Sequence, residues 1–271
     1  MSVVVYAGTR AELGEGPRWD AAAGCLLWVD VERGELHRGG ETTGFGERVG
    51  SAAPTDDGDV LVATATGLVL AGSGETLARF PHGADTRAND GACDPAGRFW
   101  IGTTALDFRD GGGALYVFDG RLECVLPGVG LSNGLGWHAE RMYYVDSNTQ
   151  RIDVFDWDGR PSNRRPFARV DRADGIPDGL AVDDEGGVWL ALYGGSCVRR
   201  YDPDGTLVEE LALPAENVTA CCFGGADGRS LFVTTAAPDG RVYVADVGVS
   251  GPPAQPFRRT APSDAEPTSA R

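Results

Sequence analysis

Six times along the chain a short turn leads, within two or three residues, into a run of apolar and aromatic side chains. The six stretches are DAAAGCLLWVD (20–30), TDDGDVLVAT (55–64), DPAGRFWIGT (94–103), HAERMYYVDS (138–147), DDEGGVWLAL (183–192) and GADGRSLFVTT (225–235). Aligning the central bulky residue of each gives Trp28, Val62, Trp100, Tyr144, Trp189 and Phe232, at successive differences of 34, 38, 44, 45 and 43. A second segment follows each run and alternates apolar with polar positions: GELHRGG, GLVLAGS, GALYVFDG, RIDVFDWDG, SCVRRYDPDG and GRVYVADVG. Alternation with period two marks strands that bury one face. Six units of about four strands at this spacing predict an all-β chain folded as a six-bladed β-propeller. The spacing is irregular and no Gly-His…Trp-Asp pairing is present, which argues against the WD40 type. Residues 2–6 (SVVVY) read as an isolated strand that closes the ring by completing the last blade.

The forty glycines and sixteen prolines fit a chain of short strands and tight turns. Residues 1–256 read as one domain, and 257–271 (FRRTAPSDAEPTSAR), polar and Pro-rich, as a disordered tail. The net charge of −16 argues against nucleic acid or an anionic membrane surface as partner. The arginine-rich stretch 162–172 is interleaved with acidic residues and reads as a solvated loop. The opening residues show no basic segment followed by an apolar one, and no apolar run nears the roughly 18 residues of a membrane helix. A soluble, cytoplasmic protein is the expectation, with its six cysteines reduced.

The absence of lysine removes Schiff-base, phosphate-loop and Ser–Lys chemistries. No Gly-x-Ser-x-Gly elbow is present, and His37, His82 and His138 show no metal spacing. Chemistry comes instead from the repeat itself. Eleven residues before the aligned position lie Ser51, Asn89, Asn133, Asp178 and Cys221, and Glu15 lies 13 before Trp28. These positions start the innermost strand of each blade and are expected to ring one end of the central channel. Glu15, Asn89, Asn133 and Asp178 supply two carboxylates and two amide oxygens, a set suited to one hard divalent cation. Asn and Asp also favour turns, which is the competing reading for any one of them alone; Glu is a poor turn former. Pro177-Asp178-Gly179 itself reads as a turn that aims its Asp at the channel, whereas the copies at 203 and 238 lack that register and remain turns. Cys221 reads as a packed core thiol.

The blocks LGEGPRW, RANDGACDPAGRFWIGT, LSNGLGW…YYVDS, GIPDGLAVDDEGGVWLALYGG and CCFGG resemble the signature of the senescence-marker-protein/gluconolactonase/luciferin-regenerating-enzyme (regucalcin-like) family, in order from about residue 13 to 248. The resemblance implies a six-bladed propeller with one divalent metal in its channel and, in many members, hydrolysis of sugar lactones. It places the metal-binding Glu on Glu15, the two Asn on Asn89 and Asn133, the Asp on Asp178 and a substrate-contacting Arg on Arg87. Two departures leave the substrate's size and identity open: ALDFRDGGG follows Trp100-Ile101-Gly102-Thr103-Thr104 where many members carry Met after Gly-Thr, and the final stretch is shortened. The expected activity is hydrolysis of a small-molecule lactone by a polarised carbonyl and a water activated by Asp178, with Arg87 and Asn89 on the substrate. The cation is Ca, Zn, Mg or Mn. A phosphotriesterase-like hydrolase and a non-catalytic calcium-binding propeller are the alternatives.

Overall fold

The computed structural model describes residues 2–81 and 83–259. Among these, the chain forms six four-stranded sheets with two single-turn 3-10 helices, Ser147–Thr149 and Arg172–Asp174, and no α-helix. Every sheet is an antiparallel meander. The innermost strands of blades one to six are Gly14–Asp20, Val49–Pro54, Thr86–Cys93, Ser132–His138, Ile176–Val182 and Val218–Gly224. Each blade's second strand is one of the apolar runs that define the repeat, and all six are buried almost throughout. The repeat therefore translates directly into six blades.

The ring closes as expected. Val4–Ala7 pairs antiparallel with Val242–Asp246 and supplies the outermost strand of blade six, so the first and last strands share one sheet. Between blades, side chains of the inner and second strands interlock in apolar clusters. One joins Trp189, Val198 and Leu211 of blade five to Cys221, Phe223 and Leu231 of blade six. No helix is long and apolar enough to cross a membrane among the described residues.

Two expectations are corrected. Phe257 does not begin a disordered tail: it is 3% exposed, accepts and donates backbone hydrogen bonds with Asp56 and Pro54, and sets its ring 5.7 Å from that of Phe118 in a tilted contact. The Phe257 side chain in a blade core, the Arg258 N–H on Gly97 O and the Arg259 ion pair with Asp57 together hold residues 257–259 against the ring; residues 260–271 lie outside the described part. The stretch at 162–172 is not a loop throughout, because Pro161–Arg169 is the outer strand of blade four and its Arg164 pairs with buried Asp153 at 2.6 Å.

Buried aspartates clasp the hairpins at the far end of the blades. Asp183, fully buried, accepts from the backbone N–H groups of Glu185 and Gly187, from Trp189 Nε1 at 2.9 Å and from Arg200 Nε at 2.8 Å. Asp94 does the same in blade three with Ala96, Arg98 and Trp100 Nε1. The spacing of six residues between Asp and Trp is thus a structural clasp and no part of the channel. Asp183→Ala strands four buried or half-buried donors and is expected to cost about 3 kcal/mol, read by urea unfolding. Asp202→Ala, which removes only an exposed hairpin's two backbone bonds, should cost about 1 kcal/mol or less.

Candidate active site at the channel mouth

In every blade the pairing between innermost and second strand slips by a bulge near the strand's start. The slips fall between Glu15 and Arg18, Val49 and Ser51, Ala88 and Gly91, Ser132 and Leu135, Pro177 and Leu180, and Val218 and Ala220. A bulge adds an unpaired residue and re-aims its side chain. Asn89, Asn133 and Asp178 occupy that added position, and Glu15 the last paired position before it. Pro177-Asp178-Gly179 is therefore strand, within Ile176–Val182, and not the turn expected for it. Gly179 is needed for close approach: a Cβ there would lie 2.7 Å from Ala220 Cα of the next blade. The copies at 203 and 238 do turn, with Gly205 and Gly240 at positive φ.

Glu15, Arg87, Asn89, Asn133 and Asp178 line one cavity of about 330 Å³ at the channel mouth, and each is at least nine-tenths buried. A hydrogen-bond relay runs around its floor from blade to blade. Arg87 Nη1 donates to Asn89 Oδ1 at 2.5 Å; Asn89 Nδ2 donates to Asn133 Oδ1 at 2.7 Å; Asn133 Nδ2 donates to Ser147 Oγ at 2.8 Å; Ser147 Oγ donates to Pro177 O at 2.6 Å. Aspartates pin the segments that enter two of these strands. Asp30 accepts from the N–H groups of Glu12 and Leu13, and Asp146 from those of Gly130 and Leu131.

The relay leaves the carboxylates unneutralised. Among the described residues Asp178 Oδ1 is buried with no hydrogen-bond partner, and Glu15 accepts only from Gly16 N, at 3.1 Å. Burial pushes the Glu15 carboxyl up to about 8, with the charge of Asp90 adding to the effect. Asp178 is raised by burial, then by Glu15 and Asp90, and is partly drawn back by Arg87. Burial also lowers Arg87 from the usual guanidinium range.

Several contributors escape a reading of the repeat. Beneath the floor, Arg18 Nη2 meets Asp90 Oδ1 at 3.1 Å, a buried pair joining blades one and three. Ser147 and Gln150 also line the cavity, and Gln150 holds φ 53° with Oε1 buried and unpartnered. Ser51 and Cys221 do not line it. Ser51 Oγ donates to Gly91 O at 2.8 Å, and Cys221 packs between blades five and six. The bulge of blade six carries Thr219, 13 residues before Phe232, and its hydroxyl donates to Gly14 O at 2.6 Å. The hairpin of blade six is longer, so a count of eleven lands two residues late. Among the described residues no three His, Cys, Asp or Glu side chains cluster to hold a metal; the mouth brings together two carboxylates with two amides instead.

The fold and this polar, charge-bearing mouth define a six-bladed propeller with a channel-mouth site. The chain belongs to the SMP-30/gluconolactonase/LRE-like family, whose model matches residues 13–237. YvrE of Bacillus subtilis, provisionally named a sugar lactone lactonase, is 37% identical over 255 residues, covering 87% of each chain. Pentonolactonase XacC of Haloferax volcanii is 36% identical over 256 residues, covering 89% of this chain and 87% of its own. The crystal structure of a calcium-binding protein, regucalcin, from Agrobacterium tumefaciens superposes with a TM-score of 0.88 at 27% identity, covering 94% and 97%.

The raised carboxyls set a pH dependence for protein stripped of divalent cations by chelator. Between 4.5 and about 8 the folded chain keeps a proton on Glu15 that the unfolded chain has released. The folded state then binds more protons, so stability falls as pH rises through this window and levels above it. Glu15→Gln removes that loss. In chelator the variant should melt higher than the parent, by a margin of several degrees that widens from pH 5 to pH 8; equal or narrowing margins in thermal melts would contradict the charge assignment.

Proposed function

We propose that this chain hydrolyses small sugar (aldono-)lactones, using one divalent cation held by Glu15, Asn133 and Asp178, with Asp178 as general base. The observation that carries the reading is the pair of buried, uncompensated carboxylates, with Asp178 Oδ1 lacking any partner. Buried carboxyls without partners either hold their protons or give them up to a cation, and the oxygen-only donor set fits a hard one. Asn133 Oδ1 accepts one hydrogen bond and keeps a second lone pair. Asn89 Oδ1 accepts from the Arg87 guanidinium, whose positive charge disfavours a second cation on the same oxygen; this supports Asn89 on the substrate side with Arg87. The names of the relatives YvrE and XacC support lactones as the substrate class.

When bound, the cation supplies Lewis acidity that polarises the lactone carbonyl and stabilises the developing oxyanion. Asp178 accepts the proton of the water that attacks the carbonyl carbon. The ring C–O bond then breaks, the ring oxygen leaves as a hydroxyl, and the product is a hydroxycarboxylate with one proton released. Arg87 uses only Nη1 in hydrogen bonds, to Asn89 Oδ1 and Ala88 O, so the rest of its donor fork is available to hold substrate oxygens. The cavity lining holds no cysteine or histidine among the described residues, and its Ser147 hydroxyl is committed to Pro177 O; burial pushes the thiols of Cys93, Cys221 and Cys222 upward, and His37 is stacked on Trp28 at 3.8 Å, in blade one's outer half.

Acid release from a lactone panel, read with a pH indicator while single cations are restored after chelation, tests the reading. Turnover should need the cation, and Asp178→Asn should lower kcat/KM by about 10²- to 10⁴-fold in a protein that still folds. Full activity of that variant would remove Asp178 from the base role. Paraoxon turnover without lactone turnover would favour a phosphotriesterase. A cation-dependent melting temperature with no hydrolysis would favour an ion-holding propeller, the reading closest to the Agrobacterium protein's description as calcium-binding.

A further inference from the structure

The cavity changes character from floor to rim. Its deepest lining side chains are polar and at least nine-tenths buried, whereas Leu13, Phe108, Leu131, Ile176 and Tyr193 line it as partly or fully exposed apolar surface. Phe108 is 50% exposed and Ile176 37%. Large apolar side chains clustered at a pocket mouth mark a binding surface. A fully hydroxylated sugar ring offers such a rim only its C–H faces, whereas an alkyl arm offers apolar surface along its whole length.

Phe108 is held there by a built clasp. Its backbone lies at φ 54°, in the left-handed region that a bulky residue rarely adopts, and its N–H donates to Ala105 O at 2.9 Å. Asn148, from the 3-10 turn after blade four's second strand, reaches across. Its Nδ2 donates to Phe108 O at 3.0 Å and to Asp110 Oδ1 at 2.7 Å. Gly130 makes room for that reach, since a Cβ there would sit 2.5 Å from Asn148 Nδ2. Backbone strain kept at a cavity mouth by dedicated hydrogen bonds points to use of the side chain it presents. Arg172, exposed, is the cation of the same rim.

We infer that the site also takes lactones carrying an apolar arm on the ring, with Phe108 the rim residue that selects them and Asn148 the residue that positions it. The inference rests on the lactonase reading and adds the part of the substrate that projects past the floor. Ring and carbonyl sit among Arg87, Asn89 and Asp178, and the arm lies against Phe108 and Ile176.

The test is kcat/KM of the cation-loaded protein for γ-butyrolactone, γ-hexalactone and γ-nonalactone, with glucono-1,5-lactone alongside. A fully buried methylene is worth about fourfold; along a half-open rim the nonalactone-to-butyrolactone ratio should reach about tenfold or more. Phe108→Ser should lower that ratio about tenfold, Phe108→Leu should keep most of it, and Asn148→Ala should lower it less than Phe108→Ser, chiefly through KM. A ratio near one in the parent protein overturns the inference, as does a Phe108→Ser variant that slows all lactones equally. Turnover of gluconolactone with none of the alkyl lactones leaves a sugar lactonase and overturns the arm. If no lactone is turned over, the lactonase reading fails by itself, and calorimetric binding of γ-nonalactone against γ-butyrolactone decides the rim. Tighter binding of the longer chain, weakened by Phe108→Ser, supports it; equal binding overturns it.

Discussion

Two carboxylates buried in one cavity repel each other where water cannot screen them, and this repulsion governs the arrangement at the channel mouth. Glu15 and Asp178 come from blades one and five, which flank blade six, and Asp90 adds a third buried carboxylate beneath them. Arg18 answers Asp90 directly, by a 3.1 Å contact. Arg87, by contrast, turns its Nη1 to Asn89 and acts on Asp178 only at a distance. Protein atoms thus leave the two carboxylates short of compensation. A fold that retains such a cluster gives up stability locally, which is a feature of sites that bind something.

The propeller bears that cost because its rigidity is elsewhere. Each blade is held by its own hairpins and by apolar interleaving with the next, and the Asp94 and Asp183 clasps lie at the hairpin ends, away from the mouth. The bulge at the start of each inner strand decouples the mouth from this scaffold. One extra residue per blade faces the channel without disturbing the paired register below it. Side chains can differ from blade to blade at that position, Asn, Asn, Asp and Thr in blades three to six, while the sheets stay alike.

Most of the fold was legible in the chain, because the period-two strands recur with bulky residues at fixed places and only a ring of blades accounts for six such units. The residues at the mouth were legible for the same reason: Asn89, Asn133 and Asp178 share a place in the repeat. What escaped was whatever lacks a period. Blade six's longer hairpin broke the residue count and hid Thr219 behind Cys221. Arg18 and Asp90 are 72 positions apart, and nothing local in either stretch announces their pairing. Phe257 is one aromatic residue in a polar stretch, so its burial follows from the surface it meets and not from any pattern around it. Pro177-Asp178-Gly179 showed the limit of local chemistry, since a turn-forming tripeptide lies in a strand where bulge and neighbouring blade dictate its conformation.

The most direct measurement is calorimetric titration of a divalent cation into chelator-stripped protein at pH 7, in two buffers of different ionisation heat. One equivalent should bind, with proton release reported by the difference between buffers, because Glu15, whose carboxyl is pushed up to about 8, must give up its proton to a cation. Asp178→Asn should reduce both the affinity and the proton release. Absence of binding, or binding without proton release that Asp178→Asn leaves unchanged, would contradict a cation-filled mouth and with it the mechanism built there.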